Sequence, residues 1–139
     1  EFRRVLFRSM KKITTLVIAL LLSIVSFAQR TVIAKNTEIY KWNKVKEHWE
    51  FSSANKNTEI PIYILKRFIH IQAKDNAYFL LDEDSEDISG ETFKGYSYKA
   101  YEFVTQSKCE IHIVDSNDGQ TMISVVWFLE GINLRYFLR

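Results

Sequence analysis

Apolar and polar side chains alternate with a period of two, between turn signals, from residue 36 to the end of the chain. Nothing else in the sequence constrains its folding as tightly. A strand sends successive side chains to opposite faces, so this alternation describes half-buried strands; no helical period competes with it beyond residue 29. Residues 38–42 alternate, and 46–52 set Trp49 and Phe51 against His48 and Glu50. In 59–65, Pro61 marks an edge position or a strand start, because proline cannot donate to a ladder. Residues 67–73 set Ile69 and Ile71 against Phe68, His70 and Gln72, and 77–81 are apolar on both faces, which reads as a central strand. Residues 96–106 read as a strand bulged near Ala100, followed by strands over 108–115, 121–128 and 132–138.

The punctuation agrees with that pattern. Asn43-Lys44, Asn55-Lys56-Asn57, Lys74-Asp75-Asn76, Ser116-Asn117-Asp118-Gly119 and Glu130-Gly131 read as turns. Asp82-Glu83-Asp84-Ser85-Glu86-Asp87 is expected to be a solvated loop, since so many charges are costly to bury. Short connections imply antiparallel neighbours. The expectation is an all-β fold, a single antiparallel meander of about eight or nine short strands curling into a small barrel or a two-layer roll. Residues 29–139 are enough for one β domain with one core.

The first 28 residues read differently. Lys11 and Lys12 precede an apolar run from Leu16 to Val25, and Ser26-Phe27-Ala28 supplies the small residues that a signal peptidase reads. Residues 10–28 are therefore expected to be a helical signal peptide cut after Ala28, which makes the mature product exported, periplasmic or extracellular. The run is short for a bilayer span of about 20 residues, and no stop-transfer segment follows. Residues 1–9 resemble the in-frame translation of a short-read sequencing adapter and are set aside as an artefact.

Charge follows from this division. Residues 1–28 hold Arg3, Arg4, Arg8, Lys11 and Lys12 against Glu1, a surplus of four positive charges. Subtracting it from the +2 of the whole chain leaves −2 for residues 29–139. A basic face for nucleic acid is thereby not expected. Cys109 is the only cysteine, so no disulfide forms within the chain, and its neighbours Ile111 and Ile113 suggest a buried small hydrophobe.

Motifs for chemistry are weak. Counted from Asp82, the sixth position of a calcium loop should be glycine and is Asp87, while the twelfth should be an acid and is Phe93. The Asp115-x-Asn117-x-Gly119 stretch meets Val126 where its closing acid should stand. His48, His70 and His112 fall on three different strands without a close pair for zinc. No G-x-S-x-G elbow occurs, and carboxylates crowd one segment instead of facing each other as glycoside hydrolysis requires. A membrane barrel is disfavoured because Lys41, Glu50, Lys99 and Glu110 interrupt strand faces. No catalytic residue, metal ligand or cofactor is assigned.

Aromatic residues carry the remaining signal. Tyr40, Trp42 and Trp49 share a hairpin, and Tyr96, Tyr98 and Tyr101 lie close in sequence. Flat rings stack on sugars and anchor interfaces, although cross-strand aromatic pairs also stabilise ordinary sheets. These six residues form the candidate recognition surface. The partner expected is a protein, a glycan or a small apolar ligand, with no stable membrane span once the signal is removed.

The Ser26-Phe27-Ala28-Gln29 signal end, the β-rich remainder and the late lone cysteine resemble small exported proteins of the Bacteroidota, a resemblance that carries no activity or site residue. Among familiar architectures the lipocalin-like barrel is closest, although Tyr40-Lys41-Trp42 lacks the glycine of the Gly-x-Trp signature. The function expected is a non-catalytic binding or interaction module, with a lipocalin-like carrier of an apolar ligand as the alternative.

Overall fold

The structure is a computed structural model that describes residues 30–138. The expected signal peptide over 10–28 and the adapter-like residues 1–9 lie outside the described residues. Eight strands follow one another: β1 (Arg30–Asn43), β2 (His48–Ile64), β3 (Phe68–Ile71), β4 (Ala77–Asp87), β5 (Phe93–Glu102), β6 (Ser107–Ser116), β7 (Thr121–Trp127) and β8 (Ile132–Leu138). Each pairs antiparallel with the next, and β1 pairs with β8, so the meander closes into a barrel instead of a two-layer roll. The seam runs from Ala34 opposite Leu138 to Lys41 opposite Ile132.

The alternation fills the ring. Ala34, Ile62, Ile69, Ile71, Phe79 and Leu81 from β1 to β4 meet Ala100, Cys109, Ile111, Ile123, Val125, Tyr136 and Leu138 from β5 to β8 in one buried cluster. Small residues (Ala34, Ala100, Cys109) stand among large ones (Phe79, Tyr136), and Phe79 packs on Trp127 with ring centroids 6.2 Å apart. Such alternation of volume lets a narrow barrel fill itself with side chains.

Several local expectations are corrected. Strands are eight because the two expected on either side of residues 55–57 are one, β2. Asn55-Lys56-Asn57 is not a turn but an irregularity within it, where the β1–β2 register shifts and Asn57 takes a φ of 56°. The acidic run 82–87 is the second half of β4, not a loop. It pairs with β5 through Ser85–Asp87, and its side chains stay exposed because β3 ends at Phe68 and leaves that stretch one neighbour. The bulge expected near Ala100 is in the partner: β5–β6 pairing is continuous, and the register slips between Leu81 and Ser85 of β4. The 77–81 stretch is not covered on both faces, since Phe79 and Leu81 point into the core while Leu80 is 41% exposed.

Pro61 sits where the β2–β3 ladder stops. β3 pairs with Ile62–Ile64, and the Pro61 carbonyl accepts from the Gln72 N–H at 2.9 Å, so its missing donor falls at the ladder's end. Above that point His48–Ile60 of β2 pair with β1 alone. Register shifts at Ser52 and around Asn57 break this free edge, a device that blunts edge-to-edge association.

The strand directions place the β1–β2, β3–β4, β5–β6 and β7–β8 connections at one end, here the upper end, and the other three at the lower end. Core truncation should cost far more than truncation at the upper turns. Phe79→Ala, at a fully buried ring, is expected to lower the unfolding free energy by about 3–5 kcal/mol. Phe128→Ala, at an exposed turn, should change it by about 0.5 kcal/mol or less, both measured by urea denaturation.

Candidate functional site

The outer wall of the barrel carries two groups of aromatic rings. The first joins β1 to β2. Tyr40 meets Phe51 edge-on with centroids 5.8 Å apart, and Trp42 meets Trp49 likewise at 5.4 Å, because the register sets both pairs opposite each other. The Arg135 guanidinium lies 4.0 Å over the Tyr40 ring, a cation–π contact. The Tyr40 hydroxyl donates to Glu38 Oε2 at 2.8 Å, and this bond to a carboxylate, aided by burial, raises its pKa. Trp42, Trp49 and Phe128 line a shallow depression of about 180 Å³.

The second group crosses β2, β3 and β4 and reaches the β5–β6 turn. Tyr63, His70 and Tyr78 occupy one cross-strand row and stack nearly parallel, with centroids 5.4 Å and 4.5 Å apart. Phe68 continues the run to Tyr78 at 6.2 Å and to Phe103 at 6.4 Å, and Phe103 meets Tyr101 edge-on at 5.6 Å. Leu80 lies in register between Phe68 and Tyr101 and completes an exposed apolar strip. The stack occupies both faces of His70 and one face each of Tyr63 and Tyr78, which leaves less ring face for stacking on a sugar than for packing against apolar side chains.

A groove runs beside this strip. About 360 Å³ is enclosed by Asp82, Lys99, Tyr101, Lys108, Glu110 and the Phe128–Leu129 turn. It shares Asp82, Lys99 and Glu110 with a second depression of about 400 Å³ lined by Glu83, Asp84, Ser85, Glu86 and Ser97. The slip in β4 lies at this second depression, where residues 82–84 leave the β5 ladder before it resumes at Ser85. Among the described residues no group of three or more His, Cys, Asp or Glu side chains is arranged to hold a metal ion.

The rim above the strip rests on a buried carboxylate. Glu102 is 2% exposed and accepts the N–H groups of Val104 at 3.0 Å and Thr105 at 2.6 Å, together with the Thr105 hydroxyl and, more loosely, the Tyr78 N–H at 3.5 Å. Burial alone would raise its pKa; the donors outweigh burial and hold it below the ordinary value. Cys109 is buried one strand away, and desolvation, with the charges of Glu102, Glu130 and Glu110, pushes its thiol up to about 12. A thiol so placed is a core side chain and a poor nucleophile.

The six residues singled out in the sequence fall in separate places. Tyr40, Trp42 and Trp49 are together, with Phe51 added. Tyr101 belongs to the second group. Tyr98 packs against the core, and Tyr96, on the same side of β5, is 46% exposed opposite Ile113 near the lower end. Phe68, Tyr78, Leu80 and Phe103 were not singled out. For Phe68, Tyr78 and Leu80 the signal was the apolar character of positions alternating with Ile69, Ile71, Phe79 and Leu81, which marks an uncovered outer face as readily as a buried one; Phe103 lies in the β5–β6 turn, outside that alternation.

An eight-stranded antiparallel up-and-down barrel with a filled interior is the class of protein that these observations define. No protein-family model, curated protein or solved structure matches the chain.

The Glu102 arrangement sets a pH dependence. A carboxylate whose native pKa is lowered adds stability above its unfolded value and loses it as pH falls through the native one. Wild type should therefore exceed Glu102→Gln in stability at neutral pH, and the gap should begin to close near 4.5, the ordinary glutamate value. Urea midpoints of both proteins across that range measure it.

Proposed function

We propose that the chain is a non-catalytic interaction module that works outside the cytoplasm and recognises a protein partner through the outer wall of β3–β5. The observation that carries this reading is the division of apolar surface. Every strand sends side chains into a filled interior, yet Phe68, Leu80, Tyr101 and Phe103 remain on the outside. Uncovered contiguous apolar surface on a small domain marks a place where something packs. Aromatic anchors of this kind dominate protein interfaces, and the charged side chains of Lys99, Lys108, Asp82 and Glu110 supply a polar rim.

A carrier of an apolar ligand would need space inside the ring. Phe79 and Trp127 pack against each other there, whereas Tyr78 and Phe128 lie outside, so these four rings do not line a common cavity. Export rests on the charged start, apolar run and small-residue cut site of residues 10–28.

Photo-crosslinking in the cell envelope tests the proposal. A benzophenone side chain at position 80 or 101 should yield discrete protein adducts, and at Lys94 or Asp118, toward the lower end, none. Absence of adducts at 80 and 101, or equal labelling at all four positions, would contradict the proposed surface.

A further inference from the structure

The three upper connections between β1 and β2, β5 and β6, and β7 and β8 share one construction. Each spans four residues (44–47, 103–106 and 128–131), and each ends on a residue with positive φ: Glu47 at 52°, Gln106 at 54° and Gly131 at 64°. The second residue of every one is aliphatic and stands out in solvent. Val45 is 92% exposed, Val104 66% and Leu129 95%, and Phe103 and Phe128 precede the latter two. Turn tips in water take Gly, Asn, Asp or Ser, so an aliphatic residue at the same place in three turns is not accounted for by turn chemistry.

The lower end is different. Its turns read Leu65-Lys66-Arg67, Ile88-Ser89-Gly90-Glu91-Thr92 and Asn117-Asp118-Gly119-Gln120. Carboxylates concentrate toward it, in Glu83, Asp84, Glu86, Asp87, Glu91, Asp115 and Asp118, and outnumber the cations Arg30, Lys66, Arg67 and Lys94 there. The upper turns are balanced, with Lys44, Lys46 and Lys74 against Glu47, Asp75 and Glu130. One end is thus apolar at its tips and near neutral, and the other is acidic.

From these observations we infer that the upper end docks on a lipid bilayer, inserting Val45, Val104 and Leu129 with Phe103 and Phe128 into the boundary of the acyl layer. The tips project from three separate hairpins and form no continuous plane, although the Phe128–Leu129 tip also borders the groove beside Lys99 and Lys108. A deformable acyl layer accepts such points one by one, whereas a protein partner packs against contiguous surface. Behind the tips come Trp42, Trp49 and Tyr101 at the strand ends, with Lys41, Lys99 and Lys108 beside them. Aliphatic, then aromatic with lysine, is the depth order of a membrane–water boundary. Anionic headgroups repel the acidic end and turn it outward, which fixes the orientation. The contact is peripheral and spans nothing; Phe103 and Tyr101 stand where it meets the β3–β5 wall, whereas the tips Val45 and Leu129 lie on other hairpins.

Vesicle flotation tests the inference with the chain from Gln29 onward, which holds all eight strands and lacks the apolar run of 16–25. With phosphatidylethanolamine–phosphatidylglycerol vesicles the protein should float, and it should stay bound in 0.5 M salt because apolar insertion, not screened charge, holds it. Leu129→Asp and Val45→Asp should each weaken binding about tenfold, with unchanged circular dichroism and melting temperature since both sites are exposed. Leu80→Asp, on the outer wall, should bind vesicles as wild type does. Failure of wild type to float, release by salt, wild-type binding by both tip variants, or equal loss in Leu80→Asp would each overturn the inference. A negative vesicle result with adducts still formed at positions 80 and 101 would leave the protein-binding wall standing by itself.

Discussion

Pairing of β1 with β8 is the contact on which the rest of the structure depends. A meander of eight strands would otherwise leave two exposed edges, each a row of unpaired backbone donors and acceptors. Closing the seam between Ala34–Lys41 and Ile132–Leu138 removes both where the strands overlap. It also decides which set of alternating side chains is enclosed, because a slip of one residue at the seam would turn every side chain of β8 to the opposite face. Leu134, Tyr136 and Leu138 point inward only in the register observed, opposite Ile39, Thr37 and Ala34.

Once the ring is closed and filled, interaction chemistry is left to the outer wall and the turns. The short β3 has a large influence on both. Ending at Phe68 and Ile71, it leaves the upper half of β2 and the acidic half of β4 with single neighbours. These half-paired stretches frame the outer wall on which the Tyr63–His70–Tyr78 stack and the Phe68–Leu80–Tyr101 strip lie. Glu102 couples wall to rim, since one buried carboxylate organises the turn that displays Phe103 and Val104 and also bonds the backbone of Tyr78.

Much of the fold was legible in the sequence because period-two alternation and turn chemistry act locally. Alternation alone set Ile69 with Ile71 on one face, and Cys109 was expected to be buried beside Ile111; all four are buried. What was not legible depended on neighbours in space. The acidic stretch 82–87 looks like a loop by composition, yet it is a strand because β5 offers it hydrogen bonds while solvent keeps its charges. Asn55-Lys56-Asn57 carries turn residues but runs on as strand, since the long β1 continues opposite it and absorbs the irregularity as a register shift. Of the candidate site, the Tyr40–Trp42–Trp49 grouping was visible as one hairpin. The Phe68–Tyr78–Phe103 run was not, because its members come from three elements that only the closed ring brings side by side.

The central claim, a ring closed by its first and last strands around a packed interior, is tested most directly by nuclear magnetic resonance across the seam. Cross-strand proton contacts between Thr37 and Tyr136 and between Ile39 and Leu134, with slowly exchanging amides along 132–138, are the result expected. Fast amide exchange throughout β8, with no contacts to β1, would mean an open sheet and would contradict the account.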